Sequence, residues 1–130
     1  MRFRGIKMSI SKISTDKAPA AIGPYSQAIR TEGLIFVSGQ LPVDGGVLQT
    51  EIGKATAASL NNIKNILEKA GSDMSKIVKT TVLLSSMDDF AAMNKVYESF
   101  FTAPFPARAC FAVKQLPKNA CVEIECVAEA

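Results

Sequence analysis

An apolar stripe at helical spacing runs through residues 52–70 and constrains the fold more than any other feature of this sequence. Its members are Ile52, Thr56, Leu60, Ile63, Leu67 and Ala70. Thr50 precedes the stripe as a candidate N-cap, Glu51 as a first-turn acid, and Gly71 follows where a helix normally ends. The spacing therefore predicts an amphipathic helix that begins after Thr50 and ends at Gly71.

A β-branched, apolar run at 77–84 predicts a largely buried strand after this helix. Ser86 and Asp89 then have the spacing of a capping box, which predicts a second helix running to about Phe101. The shorter strand candidates, with turns predicted at 32–33 and 44–46, are 9–14, 25–30, 34–38, 107–113 and 121–127. This order predicts an α+β fold in which both helices lie on one face of a mixed sheet.

The composition bounds the class of protein. The 130 residues suffice for one well-buried core but not for two ordinary domains, so we predict a single domain over residues 9–130. The mean hydropathy of +0.16 is high for a small domain and points to surface that another subunit covers. The net charge of +3 is spread along the chain, so nucleic acid is not an expected partner.

Histidine is absent, which excludes histidine-based metal sites and Ser-His or Cys-His catalysis. The three cysteines form neither an even set nor a CxxC motif, which favours a reducing compartment. The basic segment 1–7 lacks the apolar core of a secretory signal, and Met8 is an alternative start. We therefore expect a cytoplasmic protein without a membrane partner, and a flexible extension over residues 1–8.

Arg108 is the first candidate functional residue. It shares one face of a predicted strand with Cys110, and the other face carries only small or apolar side chains. A buried arginine in such a strand needs an anion, either a glutamate in a structural ion pair or the carboxylate of a ligand that the planar guanidinium grips. The pattern alone leaves both interpretations open.

Glu123 and Glu125 lie on one face of the last predicted strand. They either form a solvated face, or one of them is sheltered beside a substrate and polarises a water molecule. A hairpin between the last two strands would place Glu123 near Ala112, about 13 Å from Arg108 at strand rise. The two would then meet around one small substrate only if a cleft or a neighbouring subunit brought them together.

Four further residues each have two interpretations. Asn94 interrupts an apolar stripe, and it is either a satisfied buried amide or a substrate contact. Tyr25 follows a Gly-Pro turn and is more often a packing residue, while Gly39 permits either a bend or close approach of the backbone to a ligand. Cys110 suggests a nucleophile, but without a histidine to activate the thiol we favour a small buried hydrophobe.

Several segments occur together in the order and approximate spacing of one family. They are 18–27 (APAAIGPYSQ), 37–40 (VSGQ), 77–82 (IVKTTV), 105–110 (FPARAC), 116–118 (LPK) and 122–125 (VEIE). From about Ser9 to Ala130 the chain resembles the YjgF-like reactive intermediate deaminase family, whose signature is Pro-Ala-Arg followed at fixed distance by Val-Glu-Ile.

The resemblance implies a chorismate-mutase-like α+β fold that assembles as a homotrimer, with three clefts between subunits. It also implies that Arg108 binds the substrate carboxylate and that Glu123 handles the attacking water. The other implied site residues line the cleft or contribute backbone groups: Tyr25, Gly39, Asn94 and Cys110.

The implied activity is hydrolysis of 2-iminopropanoate, 2-iminobutanoate and their enamine tautomers to 2-keto acids and ammonia. The imine carbon is already electrophilic, so orientation and a positioned water suffice, and no cofactor or metal is expected. The alternative is a non-catalytic trimer that binds small carboxylates as a sensor, or acts as a chaperone or translation modulator. Glu123 discriminates between them, because a pure carboxylate binder gains nothing from a second carboxylate near the ligand.

Overall fold

A computed structural model describes residues 9–130, so the predicted extension over residues 1–8 lies outside the described residues. The elements in chain order are β1 (Ser11–Ile13), β2 (Ala28–Thr31), β3 (Leu34–Gln40), β4 (Val43–Asp44), β5 (Val47–Leu48), α1 (Ile52–Lys69), β6 (Ile77–Leu84), α2 (Phe90–Glu98), β7 (Ala107–Ala112) and β8 (Val122–Glu129). Both predicted helices and the buried strand at 77–84 are therefore confirmed.

The ends of α1 are fixed by local chemistry. The prediction of Thr50 as the N-cap is wrong, because the carboxylate of Glu51 itself accepts hydrogen bonds from two N–H groups of the first turn. At the other end Gly71 has φ +82 and its N–H donates to the Glu68 carbonyl at 3.0 Å. The predicted end of this helix is confirmed, because this backbone conformation favours glycine.

The helix α2 is shorter than the sequence predicts. A 3₁₀ turn at Met87–Asp89 precedes it, and the Ser86 hydroxyl accepts from the Asp88 N–H at 3.1 Å, so Ser86 caps that turn rather than α2. Asp89, the N-cap of α2, makes no side-chain capping bond, and the helix ends at Glu98 rather than near Phe101. The predicted capping box is thus not formed around α2.

The strands β1 to β3 and β6 to β8 form one mixed sheet in the order β1-β2-β3-β8-β6-β7. β6 and β7 run parallel and α2 connects them, whereas β8 lies between β3 and β6 and is antiparallel to both. The hairpin between the last two strands that the sequence suggested is not formed, because β6 lies between β7 and β8. Glu123 consequently lies level with Phe111 across Leu83, and not beside Ala112.

Both helices pack on one face of the sheet, as predicted. The buried core combines helix residues such as Leu60, Ile63 and Met93 with strand residues such as Val82 and Ile124. Within residues 9–130, neither helix combines the length and apolarity needed to cross a membrane.

The opposite face of the sheet, the open face, keeps large apolar side chains at its surface. Phe36 is 45% exposed and Phe111 is 49% exposed. Ile29, Phe36 and Val127 are register partners in one row of this face. Such contiguous apolar surface is typical of an interface with another protein chain.

Candidate active site

Arg108 lies on β7, at the edge of the sheet, with its side chain on the same face as the helices. Its register partner is the fully buried Thr80 of β6, which fixes the face because paired residues share one. The guanidinium donates from Nη1 to Oδ1 of Asn94 at 2.6 Å. The bonded partner of Arg108 is therefore a neutral amide, and the guanidinium keeps further N–H groups for an anion.

A pocket of about 570 Å³ lies beside the guanidinium, between α2 and the segment that leads into β7. The residues that line it are Ala91, Asn94, Lys95, Tyr97, Glu98, Phe105, Pro106 and Arg108. Two predicted site residues, Arg108 and Asn94, thus meet at the wall of one pocket. We call Arg108, Asn94 and Cys110 the Arg108 half of the site.

Two aromatic rings next to the guanidinium were missed as site residues by the sequence reasoning. The Arg108 Cζ atom is 4.8 Å from the ring centroid of Tyr97 and 5.6 Å from that of Phe90, within the range of cation-π attraction. Both rings belong to the apolar stripe of the second helix that Asn94 interrupts. The polar Asn94 in this stripe was the sequence signal that could have identified them, because it indicates that the apolar stripe contacts a polar group.

Cys110 follows Arg108 on the same face of β7, as the alternation predicts. Burial raises the pKa of its thiol, and the opposing effect of the Arg108 charge is smaller. A thiol held in its protonated form is a poor nucleophile. The N–H of Val113 donates to Leu84 at 2.9 Å, so by alternation the backbone groups of Cys110 point away from β6 toward the free edge of the sheet.

Glu123 and Gly39 are in close contact on neighbouring strands. A Cβ atom on Gly39 would lie 2.8 Å from Cδ and 3.1 Å from Cγ of Glu123, and closer still to Oε2. The pairing of β3 with β8 shifts register between Val37 and Gln40, which identifies a β-bulge at this point. The absence of a side chain on Gly39 makes room for the carboxylate.

Partial burial raises the pKa of Glu123, and the nearby Glu125 carboxylate raises it further. A carboxyl group with a raised pKa is better matched to proton transfer near neutral pH than an exposed one. Glu125 itself is exposed on the same face of β8, whereas Glu123 is partly buried. The two glutamates therefore have different environments despite their shared face.

Tyr25 lies in the loop before β2 and is 52% exposed. The Ser38 hydroxyl donates to the carbonyl of Ser26 at 2.6 Å and its N–H donates to Gln27 at 2.9 Å, so this loop is tied to β3 beside Gly39. We call Tyr25, Gly39 and Glu123 the Glu123 half of the site.

The two halves are not brought together within one chain. Arg108 faces the helices, whereas Glu123 shares its face with Leu83 and Phe111 on the open side of the sheet. Two strand spacings and three residues of strand rise separate their backbones by about 14 Å. Within residues 9–130 there is also no cluster of three or more His, Cys, Asp or Glu side chains that could hold a metal ion.

Comparisons with known proteins place the chain in a family. The family described as Endoribonuclease L-PSP matches residues 15–130. A RutC family protein of Sinorhizobium fredii, y4sK, is 53% identical over 121 residues, which cover 91% of this chain and 96% of the relative. The 2-iminobutanoate/2-iminopropanoate deaminase of Capra hircus is 48% identical over 119 residues, covering 89% of this chain and 87% of the relative.

The fold agrees with that relationship. The crystal structure of Escherichia coli TdcF with bound serine superposes with a TM-score of 0.89 at 38% sequence identity, covering 92% of this chain and 98% of that one. The motifs at 105–110 and 122–125 carry the two charged residues of the candidate site. This chain therefore belongs to the Endoribonuclease L-PSP family, the family of the reactive intermediate deaminases.

Proposed function

We propose that this protein hydrolyses 2-imino acids, namely 2-iminopropanoate, 2-iminobutanoate and their enamine tautomers, to 2-keto acids and ammonia. The observation that carries the proposal is the Arg108 guanidinium, held by Asn94 at the wall of a pocket of about 570 Å³. The 48% identity to a protein named for this activity supports it.

In the proposed mechanism Arg108 binds the substrate carboxylate. The guanidinium offers a planar fork of donors, of which Asn94 engages one at Nη1, so a bidentate grip remains available. This grip fixes the imine carbon in one orientation. The exposed backbone groups of Cys110 at the sheet edge are proposed to hydrogen-bond the substrate from the same half.

Glu123 is proposed to position the attacking water and to accept its proton as the oxygen bonds to the imine carbon; the carboxyl group then returns that proton to the nitrogen, which gives a carbinolamine. The remaining hydroxyl proton passes to the nitrogen through the same carboxylate, the C–N bond breaks, and ammonia leaves as the carbonyl of the keto acid forms. The raised pKa of Glu123 supports this exchange, since a carboxyl group that both takes and gives a proton works best near the ambient pH. No step requires a cofactor.

We further propose that the active site forms between two copies of this chain in a homotrimer. The Arg108 half and the Glu123 half face opposite sides of one sheet, so a complete site requires one half from each of two chains. The apolar open face, with Phe36 and Phe111, supplies surface for this assembly. Sedimentation equilibrium should give three times 13.9 kDa, and a monomer at micromolar concentration would contradict the shared site.

Mixing two inactive variants tests the shared site directly. In a random one-to-one mixture of Arg108→Ala and Glu123→Ala chains, three quarters of the trimers contain one intact site, so about a quarter of wild-type activity should return. Both variants alone, carried through the same dissociation and reassembly, are the controls. No recovery from a mixture that demonstrably exchanges chains would show that both residues act from one chain.

The activity itself is tested by generating 2-iminopropanoate in situ and following keto acid formation with and without the protein. Arg108→Ala should lower kcat/KM roughly thirty-fold to several-thousand-fold, the loss for a desolvated charge-assisted contact. Arg108→Lys should recover part of this, because a point charge cannot replace the planar fork. A folded Arg108→Ala trimer with near-normal turnover would end the carboxylate-clamp hypothesis.

A non-catalytic carboxylate-binding protein, acting as a sensor, chaperone or translation modulator, is the second candidate. It is favoured by one observation: the Escherichia coli relative was crystallised with bound serine, a small carboxylate. Tight binding of pyruvate without any acceleration of imine hydrolysis would support it. An equal rate of imine hydrolysis with the wild-type and Glu123→Gln proteins would also support the non-catalytic function.

We do not propose the endoribonuclease activity that the family description names. The chain has no histidine for acid-base chemistry on a phosphodiester. Its basic residues are spread along the sequence and do not form a cluster that would bind nucleic acid.

We propose that residues 9–130 act as one domain and that the protein works in the cytoplasm. The observation that supports the cytoplasmic location is that all three cysteines are free, which suits a reducing compartment. Fractionation of cells that express the full chain tests the location.

A further inference from the structure

A buried pair of hydroxyl groups lies next to the Arg108 guanidinium. The Tyr97 hydroxyl and the Thr80 hydroxyl are 2.7 Å apart, and Tyr97 is 5% exposed while Thr80 is fully buried. The ring of Tyr97 lies 4.8 Å from Cζ of Arg108. Thr80 is also the register partner of Arg108 on β6, so the three groups lie at one level of the sheet.

We propose that Tyr97, anchored through its hydroxyl to Thr80, is a positioning residue that holds the Arg108 guanidinium in the orientation needed for the substrate carboxylate. This inference rests on the proposed function and adds a residue that does not touch the substrate's reacting atoms. Tyr97 acts through Arg108.

The geometry explains why the guanidinium needs such support. Arginine has a long, flexible side chain, and Arg108 lies on an edge strand that is covered on only one side by a neighbouring strand. Asn94 fixes Nη1 alone, which leaves the guanidinium plane free to turn about that bond. A ring held beside the guanidinium restricts this rotation through cation-π attraction.

The hydroxyl bond matters because a ring can restrict its neighbour only if it is itself fixed. Burial raises the pKa of Tyr97, so its hydroxyl keeps its proton at neutral pH and remains able to donate. The bond to Thr80 ties the far end of the ring to β6, the strand next to β7. These contacts connect three elements: β7 through Arg108, α2 through Tyr97 and β6 through Thr80.

The test uses the double variant Tyr97→Phe with Thr80→Val. Each single change would leave one buried hydroxyl without a partner and destabilise the fold, whereas the double change removes both hydroxyls at nearly constant shape. We expect the double variant to assemble normally and to raise KM for 2-iminopropanoate, and Kd for pyruvate, about five-fold to twenty-fold with kcat changed less than about two-fold. Thr80→Ser keeps a hydroxyl and should retain the wild-type KM.

A second measurement does not depend on the substrate. In NMR spectra of the side-chain Nε–H groups, a fixed Arg108 guanidinium shows slow rotation about Nε–Cζ, and the double variant should show faster rotation. A stable double variant with wild-type KM and unchanged rotation would overturn the positioning role. If the double variant does not assemble, the wild-type protein decides: slow rotation of Arg108 supports the positioning role, and rotation as fast as that of a solvent-exposed arginine overturns it.

The two proposals fail separately. If the wild-type protein does not hydrolyse 2-iminopropanoate, the proposed function fails, while the rotation measurement still decides whether Tyr97 positions Arg108. If hydrolysis is normal and the double variant matches wild type in KM and rotation, only the positioning role fails.

Discussion

Replacing Gly39 with alanine is the sharpest test of how the Glu123 half is built. The added methyl carbon would lie 2.8 Å from Cδ of Glu123, where relaxed carbon contacts are about 3.5–4.0 Å. Gly39 does not lie in the left-handed region, so alanine introduces no backbone strain of its own. The displacement of the Glu123 side chain is therefore the main consequence of the change.

Two opposing effects set the magnitude. Moving Glu123 off its preferred rotamer costs about 0.5–1.5 kcal/mol, or about 1–3 kcal/mol if the backbone shifts instead. A strain-free Gly→Ala change stabilises by about 0.4–1 kcal/mol through the unfolded chain. We expect a net effect between about 0.5 kcal/mol of stabilisation and about 2.5 kcal/mol of destabilisation in the wild-type background. In a Glu123→Ala background the contact is gone, and Gly39→Ala should be stabilising.

The assay is a double-mutant cycle on thermal stability at one protein concentration, with imine hydrolysis measured on the same preparations. The coupling energy between residues 39 and 123 should be about 0.5–3 kcal/mol. Gly39→Ala should also lower kcat on the order of a hundred-fold, because the displaced carboxylate no longer holds the water. Equal stability changes in both backgrounds would refute the contact as the reason for glycine at this position.

Three further predictions concern other parts of the molecule. Cys110→Ala should keep most imine hydrolysis, because the proposed contribution of Cys110 is through its backbone; loss by orders of magnitude in a folded trimer would revive the thiol as a nucleophile. Glu123→Gln should abolish most activity yet raise Tm at pH 8 relative to wild type. The folded-state pKa of Glu123 is raised, so the stability from this group is present below its ordinary pKa of 4.5 and is lost as the pH rises; a Tm difference independent of pH would contradict this. Arg30 donates to the Ala70 carbonyl at the end of α1, so Arg30→Met should lower stability by about 1–2 kcal/mol in thermal unfolding without affecting KM.

The helices and the buried strand β6 could be predicted because their signals are local. The stripe at 52–70 and the β-branched run at 77–84 each contain their own periodicity, and α1 and β6 formed where these patterns lie. The prediction failed where neighbouring side chains compete for the same N–H groups. Thr50 and Glu51 both carry an oxygen that could accept from the first turn of α1, and the structure shows that the Glu51 carboxylate does so. The sequence alone could not decide between them.

The order of the strands could not be predicted from adjacent segments. The last two strands are neighbours in sequence, yet β6 separates them, because the parallel pairing of β6 with β7 through α2 leaves β6's other edge for β8. This long-range choice also decides which face each charged residue takes. The shared face of Arg108 and Cys110 followed from alternation alone, whereas the relation of Arg108 to Glu123 required the whole sheet.

The pairing of β8 explains why Glu123, although it follows Arg108 by only fifteen residues, belongs to the other half of the site. Glu123 reaches Gly39 only in the present register, in which it pairs with Leu83, because a slip by one residue would turn Glu123 toward the helices. The far end of β8 is held by the Ala130 N–H, which donates to Gly33 at 2.9 Å. The same register puts buried side chains of β8 into the core, so the hydrophobic core that stabilises the fold also fixes the carboxylate at the bulge. The contact between Glu123 and Gly39 therefore depends on the packing of the whole strand.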